Sequence, residues 1–389
     1  MLSPHVSQAK AGHAALDPSK RPGLERALVI CKHTKFREQL VTALQGQYEV
    51  DYYASPTAAM GGLRAQKTPV LVVMDYDQVV FGSRDFMRLK MERPHLSDIP
   101  ILVTGRVPEE KFKETVRMLC PVHYLRRPFM KSSLQEEAGK LTDRLLESSW
   151  QRLPERRRKA LVNSLSAFRG ITRRVRRGHP LNMHDTKESC HPLLSEVLDG
   201  DVGDLLENVK EHHNHTYVHS VKVATLMALM AHAIGIRGQE LLTVAAGGLL
   251  MDIGKVVVSQ DLLNSPEPLT QEQVEDLQKH VLHSIDILEN SDSVTEGVRV
   301  VAEQHHEKLD GSGYPKGLTG RDLNELARLA TIIDIFCALT DKRSYKPAYT
   351  CESSLKILDR MGGKLDPFLL ALFKEIVMDV YAPGRDTVH

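Results

Sequence analysis

The sequence predicts two folds in one chain: a doubly wound α/β domain followed by an all-helical bundle. Three observations carry this. Between residues 26 and 145, short apolar runs alternate with helical patterns. Between 211 and 345 no strand pattern occurs, and apolar residues recur at helical spacing. The histidines cluster between 212 and 306, inside that helical half, so metal ligation is the first chemistry to consider there.

In chain order, residues 1–25 hold small residues, prolines and charge without apolar periodicity, and a disordered tail is expected. Ala27-Leu28-Val29-Ile30-Cys31 is a continuous apolar run, as in a buried parallel strand. Phe36, Leu40 and Leu44 mark a helix. Tyr48 to Tyr53 alternates like a strand, and Ala58 to Leu63 is helical. Val70 to Met74 is a second buried strand ending at Asp75, and Ile99 to Val103 a third ending at Thr104. His123-Tyr124-Leu125 precedes Arg126-Arg127-Pro128-Phe129. The alternation implies a parallel sheet over 26–145 whose functional edge lies at the carboxyl ends of its strands.

Residues 146–210 are expected to form a basic helical linker. Residues 152–177 hold ten Arg and Lys, with Glu155 the only acid, and Leu161, Leu165, Phe168 and Val175 fall at roughly helical spacing. The favoured reading is a helix whose apolar seam packs on a partner or forms a homodimer. A membrane-surface helix is the alternative, and nucleic-acid binding is disfavoured because no interleaved aromatics accompany the charge. The net charge of +1 gives no global case for nucleic acid either. No run of transmembrane length and no signal-peptide core occur, and the five cysteines lack a Cys-x-x-Cys pair. Reduced thiols in a cytoplasmic protein are expected.

Residues 211–389 carry the chemistry. His215 and His219 stand four apart, one turn along one helical face. Val223, Leu226 and Met230 continue that helix, and Leu241 to Met251 is another, ending in Asp252-Ile253-Gly254-Lys255. Gln271 to Asn290 reads as one helix carrying His280 and His283. Val298 to His306 leads into Glu307-Lys308-Leu309-Asp310-Gly311-Ser312-Gly313-Tyr314-Pro315, where two glycines permit unusual backbone angles. Leu326 to Leu339 is a buried helix with Asp334. His212 and His213 are expected to be solvated.

These ordered motifs resemble the HD-GYP family, over about 180 residues. The resemblance implies a metal-dependent phosphodiesterase that cleaves cyclic di-GMP with one to three divalent ions, iron or manganese, which activate water and balance phosphoryl charge. It implies metal ligation by His219, Asp252, His280, His305, His306 and Asp334, with Asp252 shared between ions. Lys255 is implied near the scissile phosphate, and Tyr314, Arg343 and Lys346 at the dinucleotide. The Gly-Tyr-Pro loop also implies docking of signalling proteins.

Residues 26–145 resemble the receiver domain of response regulators, which implies Asp75 as phospho-acceptor and Thr104 as the switch hydroxyl. Cys31-Lys32-His33 replaces the family's magnesium-binding acidic pair and Arg127 its lysine, so a receiver that is not conventionally phosphorylated is expected. Three departures mark the helical half. Met251 stands where the family has histidine, and a thioether is a poor ligand for iron or manganese. His215 stands where some members carry a metal-binding glutamate, and Cys337 where a second aspartate is common. Two functions stay open: hydrolysis of cyclic di-GMP, or a degenerate module that binds cyclic di-GMP or protein partners without turnover.

Overall fold

The structure is a computed structural model that describes residues 25–45, 47–63, 68–116, 122–210, 212, 214–263, 265, 269–341 and 348–381. The expected tail falls outside them apart from Glu25, which opens the first strand. The chain divides into two compact units, one up to Arg127 and one from Pro128.

The first unit is built on five parallel strands: β1 (Glu25–Ile30), β2 (Tyr48–Tyr53), β3 (Leu71–Asp75), β4 (Ile101–Gly105) and β5 (Val122–Arg126). Their spatial order is β2-β1-β3-β4-β5. β3 and β4 are buried throughout and β1 nearly so, which is why they read as unbroken apolar runs rather than alternating ones. Leu28, Ile30, Val72, Met74, Ile101 and Val103 form one core with Phe86 and Leu96 from the crossover helices. The strand order reverses between β1 and β3, so a crevice opens at their carboxyl ends.

Asp75 sits at that crevice, buried at the end of β3 and opposite Thr104 of β4. The Arg127 guanidinium, just past β5, pairs with Asp75 Oδ1 and packs over the Phe36 ring, 4.1 Å from its centroid. Cys31 Sγ lies 3.9 Å from the other carboxylate oxygen. Burial raises the Asp75 pKa, and Arg127 only partly opposes that. A fixed guanidinium thus meets the oxygen that an incoming phosphoryl group would need. Acetyl phosphate with Mg²⁺ should leave the chain's mass unchanged; a one-phosphoryl increment abolished by Asp75→Asn would contradict this.

The second unit begins with the helix Lys131–Ser149 and has a single large core. Here the sequence expectation needs correction. Residues 146–210 are not a linker, and the helical unit starts at 128 rather than 211. Helices Glu155–Arg176, Met183–Leu198 and Val202–Val209 pack into the same core as the histidine-bearing helices. The seam of Leu161, Leu165, Phe168 and Val175 is buried inside this chain and so is not an open dimerisation stripe. The basic face is met from within as well. Arg156 Nε bonds the wholly buried Glu196 at 3.0 Å, and Arg157 Nη1 reaches Asp204 at 2.8 Å. Those acids lie 40 or more positions away, beyond any local charge pattern. His212, expected in solvent, is buried with its Nδ1 3.3 Å from Asp143 and its ring against Trp150. His213 lies outside the described residues.

The expected single helix over 271–290 is two, Gln271–Gln278 and His280–Glu289. At the join the His280 ring takes the Leu277 carbonyl at 2.6 Å, a side-chain bond that competes with the regular ladder.

Candidate metal centre

Five structural pieces converge on one buried point. The helix His215–Ala233 starts at Asn214, whose side chain accepts the Tyr217 N–H, and it presents His219 one turn in. The helix Gly238–Leu250 crosses it closely. A Cβ on Gly248 would lie 2.8 Å from the Ala224 Cα, so only glycine allows the approach. That crossing delivers Met251-Asp252 beside His219. The chain then tightens into a 3-10 turn, Ile253–Val256. Gly254 is required there, since a Cβ would fall 2.0 Å from the His280 carbonyl oxygen. Ser284 pins the same turn: its hydroxyl donates to the Met251 carbonyl and accepts the Gly254 N–H. The third piece is the helix His280–Glu289, and the fourth the end of Glu296–Gln304 running into His305-His306. Asp334 projects from the helix Glu325–Thr340.

Two donor groups result, and Asp252 belongs to both. One is Asp252, His280, His305 and His306; the other is His219, Asp252 and Asp334. In each, one ligand atom per residue lies within 4.8 Å of the rest. Asp252 is 1% exposed. His280 Nε2 is 3.1 Å and His305 Nε2 3.6 Å from Asp252 Oδ1, while His219 Nε2 is 3.4 Å from Oδ2. His219 Nε2 also stands 2.9 Å from Asp334, and Lys255 Nζ pairs with Asp252 Oδ2 at 2.6 Å.

The fit to metal rests on two features. Asp252 Oδ1 and His305 Nε2 are buried atoms without a hydrogen-bond partner, and such atoms cost free energy unless a ligand satisfies them. Second, the outer ring nitrogens are already engaged. His280 Nδ1 meets the Leu277 carbonyl, and His305 Nδ1 the Val301 and Ala302 carbonyls at 3.1 Å. An N–H there fixes the tautomer and leaves Nε2 as a lone-pair donor. Imidazole and carboxylate together suit first-row transition ions.

For His280, His306 and the two carboxylates the electrostatics agree. Burial holds the His280 pKa down, and burial with the His305 charge lowers His306 to about 3, so both rings stay neutral ligands. Burial also opposes the charge on Asp252 and Asp334. Lys255 and His280 outweigh it at Asp252, and His306 and His219 at Asp334, so both stay well below the usual carboxylate range. For His219, burial disfavours the cation, yet hydrogen bonds with Asp334 and Asp341 prevail and raise it to about 9.

Asp341 is the residue that sequence reasoning missed. It caps the Glu325–Thr340 helix and accepts from His219 Nδ1 at 2.8 Å and from the buried Lys222 Nζ at 2.5 Å. It lies one helical turn beyond Cys337, where a second aspartate was looked for. The signal for it was the Asp itself at the helix end. Glu307, next to the histidine pair, carries no readable role in the sequence. It is buried, and its carboxylate accepts the backbone N–H groups of Lys316, Gly317 and Leu318, which shapes the glycine loop. Tyr314 then stacks on His306, with ring centroids 4.6 Å apart.

Not every candidate joins the centre. His215 is half-buried at the first residue of its helix and is absent from the converging groups among the described residues. Met251 is fully buried in the apolar core and adds no imidazole, so the His219 group holds three donors against four in the other. Arg343 and Lys346 lie outside the described residues.

Two outcomes follow. His305→Ala should remove most bound metal in elemental analysis, because it deletes a direct ligand from a buried site. Asp341→Asn should weaken metal binding about 10- to 100-fold in a titration, by releasing the outer nitrogen of His219, and leave the His280, His305 and His306 group loaded.

The comparisons with known proteins come down on the same residues. The HD domain family model matches residues 203–369. The chain is 31% identical over 179 residues to the cyclic di-GMP phosphodiesterase PA4108 of Pseudomonas aeruginosa, covering 46% of this chain and 43% of that one. It is 24% identical over 324 residues to the cyclic di-GMP phosphodiesterase response regulator RpfG of Xanthomonas campestris pv. campestris, covering 81% and 77%. It is 33% identical over 184 residues to the 3'3'-cGAMP-specific phosphodiesterase 2 of Vibrio cholerae, covering 47% and 35%. The chain thus spans less than half the length of the first and third of these relatives, while the second alignment is long enough to reach into the sheet unit. With an HD domain match over 203–369, a His-Asp cluster at its heart and Gly313-Tyr314-Pro315 beside the histidine pair, the helical unit carries an HD domain similar to those of cyclic di-GMP phosphodiesterases, and in the sequence it follows a five-stranded parallel sheet unit.

Proposed function

We propose that the helical unit is a metal-dependent phosphodiesterase acting on cyclic di-GMP. The observation that carries it is the pair of donor groups sharing Asp252, set against a cavity of about 190 Å³ lined by His305, His306, Lys308, Tyr314, Ile335 and Met361. Whole small-molecule sites usually run to ~300–1,000 Å³, so this one takes only part of a dinucleotide. Tyr314 gives an aromatic face for a purine, and Lys308 a cation for a phosphate. Burial pushes the Tyr314 hydroxyl pKa up, so it stays a neutral hydrogen-bond donor.

His280, His305, His306 and Asp252 would hold one ion, and His219, Asp252 and Asp334 a second. Iron or manganese is the expected metal. When bound, such ions lower the pKa of water and balance charge on phosphoryl oxygens. Lys255 holds its ammonium on Asp252 Oδ2, so it fixes that carboxylate and places a positive charge at the reacting edge. The half-buried Tyr314 and the loop around it close one side of the site. A cytoplasmic location and docking of signalling proteins on the Gly-Tyr-Pro loop belong to the same proposal. No helix among the described residues is long and apolar enough to cross a membrane.

A second reading is favoured by Met251: with three donors in the His219 group, the domain binds the dinucleotide without cleaving it. One experiment separates them. Wild type, Met251→His, His215→Ala and Asp252→Asn are assayed for metal content and for linear product from cyclic di-GMP, with 3'3'-cGAMP alongside. The phosphodiesterase reading expects wild-type turnover, at least about a hundredfold loss in Asp252→Asn, and little change in His215→Ala. Wild type that binds the dinucleotide but forms no product, and gains turnover with Met251→His, would establish the binding module instead.

A further inference from the structure

The sheet unit holds its own cluster of donors. His33 follows β1, Asp75 ends β3, and Asp77 stands two residues later. One ligand atom from each lies within 4.8 Å of the others. We propose that His33, Asp75 and Asp77 form a separate metal site that takes a divalent transition ion in preference to magnesium.

The placement follows from the fold. β1 and β3 are neighbours, and the strand order reverses between them, so the residues that leave their carboxyl ends face one crevice. Asp75 is buried, whereas His33 and Asp77 are exposed. The site is therefore rooted in the sheet and open to an ion arriving from solvent.

The donor chemistry sets the class of ion. Magnesium prefers an all-oxygen octahedron built from carboxylates and waters. Here the stretch after β1 is Cys31-Lys32-His33, so an imidazole replaces oxygen donors. One nitrogen with two carboxylates suits zinc, manganese or iron, and zinc binds such sets tightly in the divalent series. Arg127 supports this arrangement. By holding Asp75 Oδ1 it orients the carboxylate, as outer partners of ligating carboxylates do, while Oδ2 meets the weak Cys31 thiol donor at 3.9 Å.

An independent observation points to a missing ligand. The Thr104 hydroxyl is fully buried and has no hydrogen-bond partner. Thr104 is the residue paired with Asp75 across β3 and β4, so the two side chains turn to the same face of the sheet. Arg127 Nη2 bonds the Thr104 carbonyl at 3.3 Å, which keeps all three together. A bound ion carries coordinated water, and a hydroxyl at this place is a natural partner for it.

The test uses the full chain, dialysed against buffered Zn²⁺, Mn²⁺ or Mg²⁺ and then counted for metal. His33→Ala and Asp77→Asn alter exposed side chains, so circular dichroism should show an intact fold. The expected result is one zinc fewer per chain in each variant at a free concentration that saturates wild type, or at least about a tenfold weaker midpoint for that ion. The imidazole nitrogens of His33 should shift on zinc addition in ¹H–¹⁵N spectra of wild type. Unchanged zinc counts and midpoints in both variants would overturn the proposal. So would a magnesium midpoint equal to that of zinc and indifferent to His33→Ala, which would mark an all-oxygen magnesium site.

Discussion

The carboxylate of Asp252 is the constraint around which the helical unit is arranged. A charge that is 1% exposed is costly unless partners surround it. Lys255 approaches it from the same turn, and His219, His280 and His305 from separate pieces of chain. Each approach demands something of the backbone. Gly248 lets two helices come close enough to bring His219 in range, and Gly254 lets the following turn lie on the His280 segment. Ser284 ties that turn to the same helix by two hydrogen bonds. A bulkier residue at either glycine would need a backbone shift, so these positions are bound to the geometry of the site as firmly as the ligands.

The outer layer of the centre shows how the ligands are aimed. His280 and His305 are oriented by backbone carbonyls of their own helical turns, so their geometry is local. His219 is oriented by Asp341, 122 positions away, and Asp341 in turn neutralises the buried Lys222. Removing that carboxylate would strand a buried ammonium, which typically costs ~3–5 kcal/mol. The His219 side of the centre therefore depends on long-range packing, and it is also the side with three donors. The side built from His280, His305 and His306 is complete within its own elements.

The sheet unit solves a related problem differently. Asp75 is also a buried carboxylate at the end of a regular element, but a fixed guanidinium shares the charge. That pairing, with Cys31 in contact and His33 nearby, separates this crevice from one built for phosphoryl transfer, which needs a cation held by oxygen donors.

Much of the architecture was legible in the sequence by itself, because local chemistry decides it. Buried parallel strands must be apolar along their whole length, so β1, β3 and β4 announced themselves, and the order of strands and helices followed. The candidate donors at 219, 252, 280, 305, 306 and 334 could be named because the motifs that carry them resemble those of a known family, and the fold brings them together. What only the tertiary structure decided were the relations between distant segments. The basic stretch 152–177 looked like a solvated linker because the acids that neutralise Arg156 and Arg157 stand 40 or more positions later. His212 looked solvated because Asp143 and Trp150, its neighbours, belong to an earlier helix. Asp341 could be read only as an acid at a helix end, because its role depends on His219 and Lys222 arriving from another helix. Local sequence sets the conformation of each element and the chemistry of each side chain, but which charges meet is settled by how the helices cross.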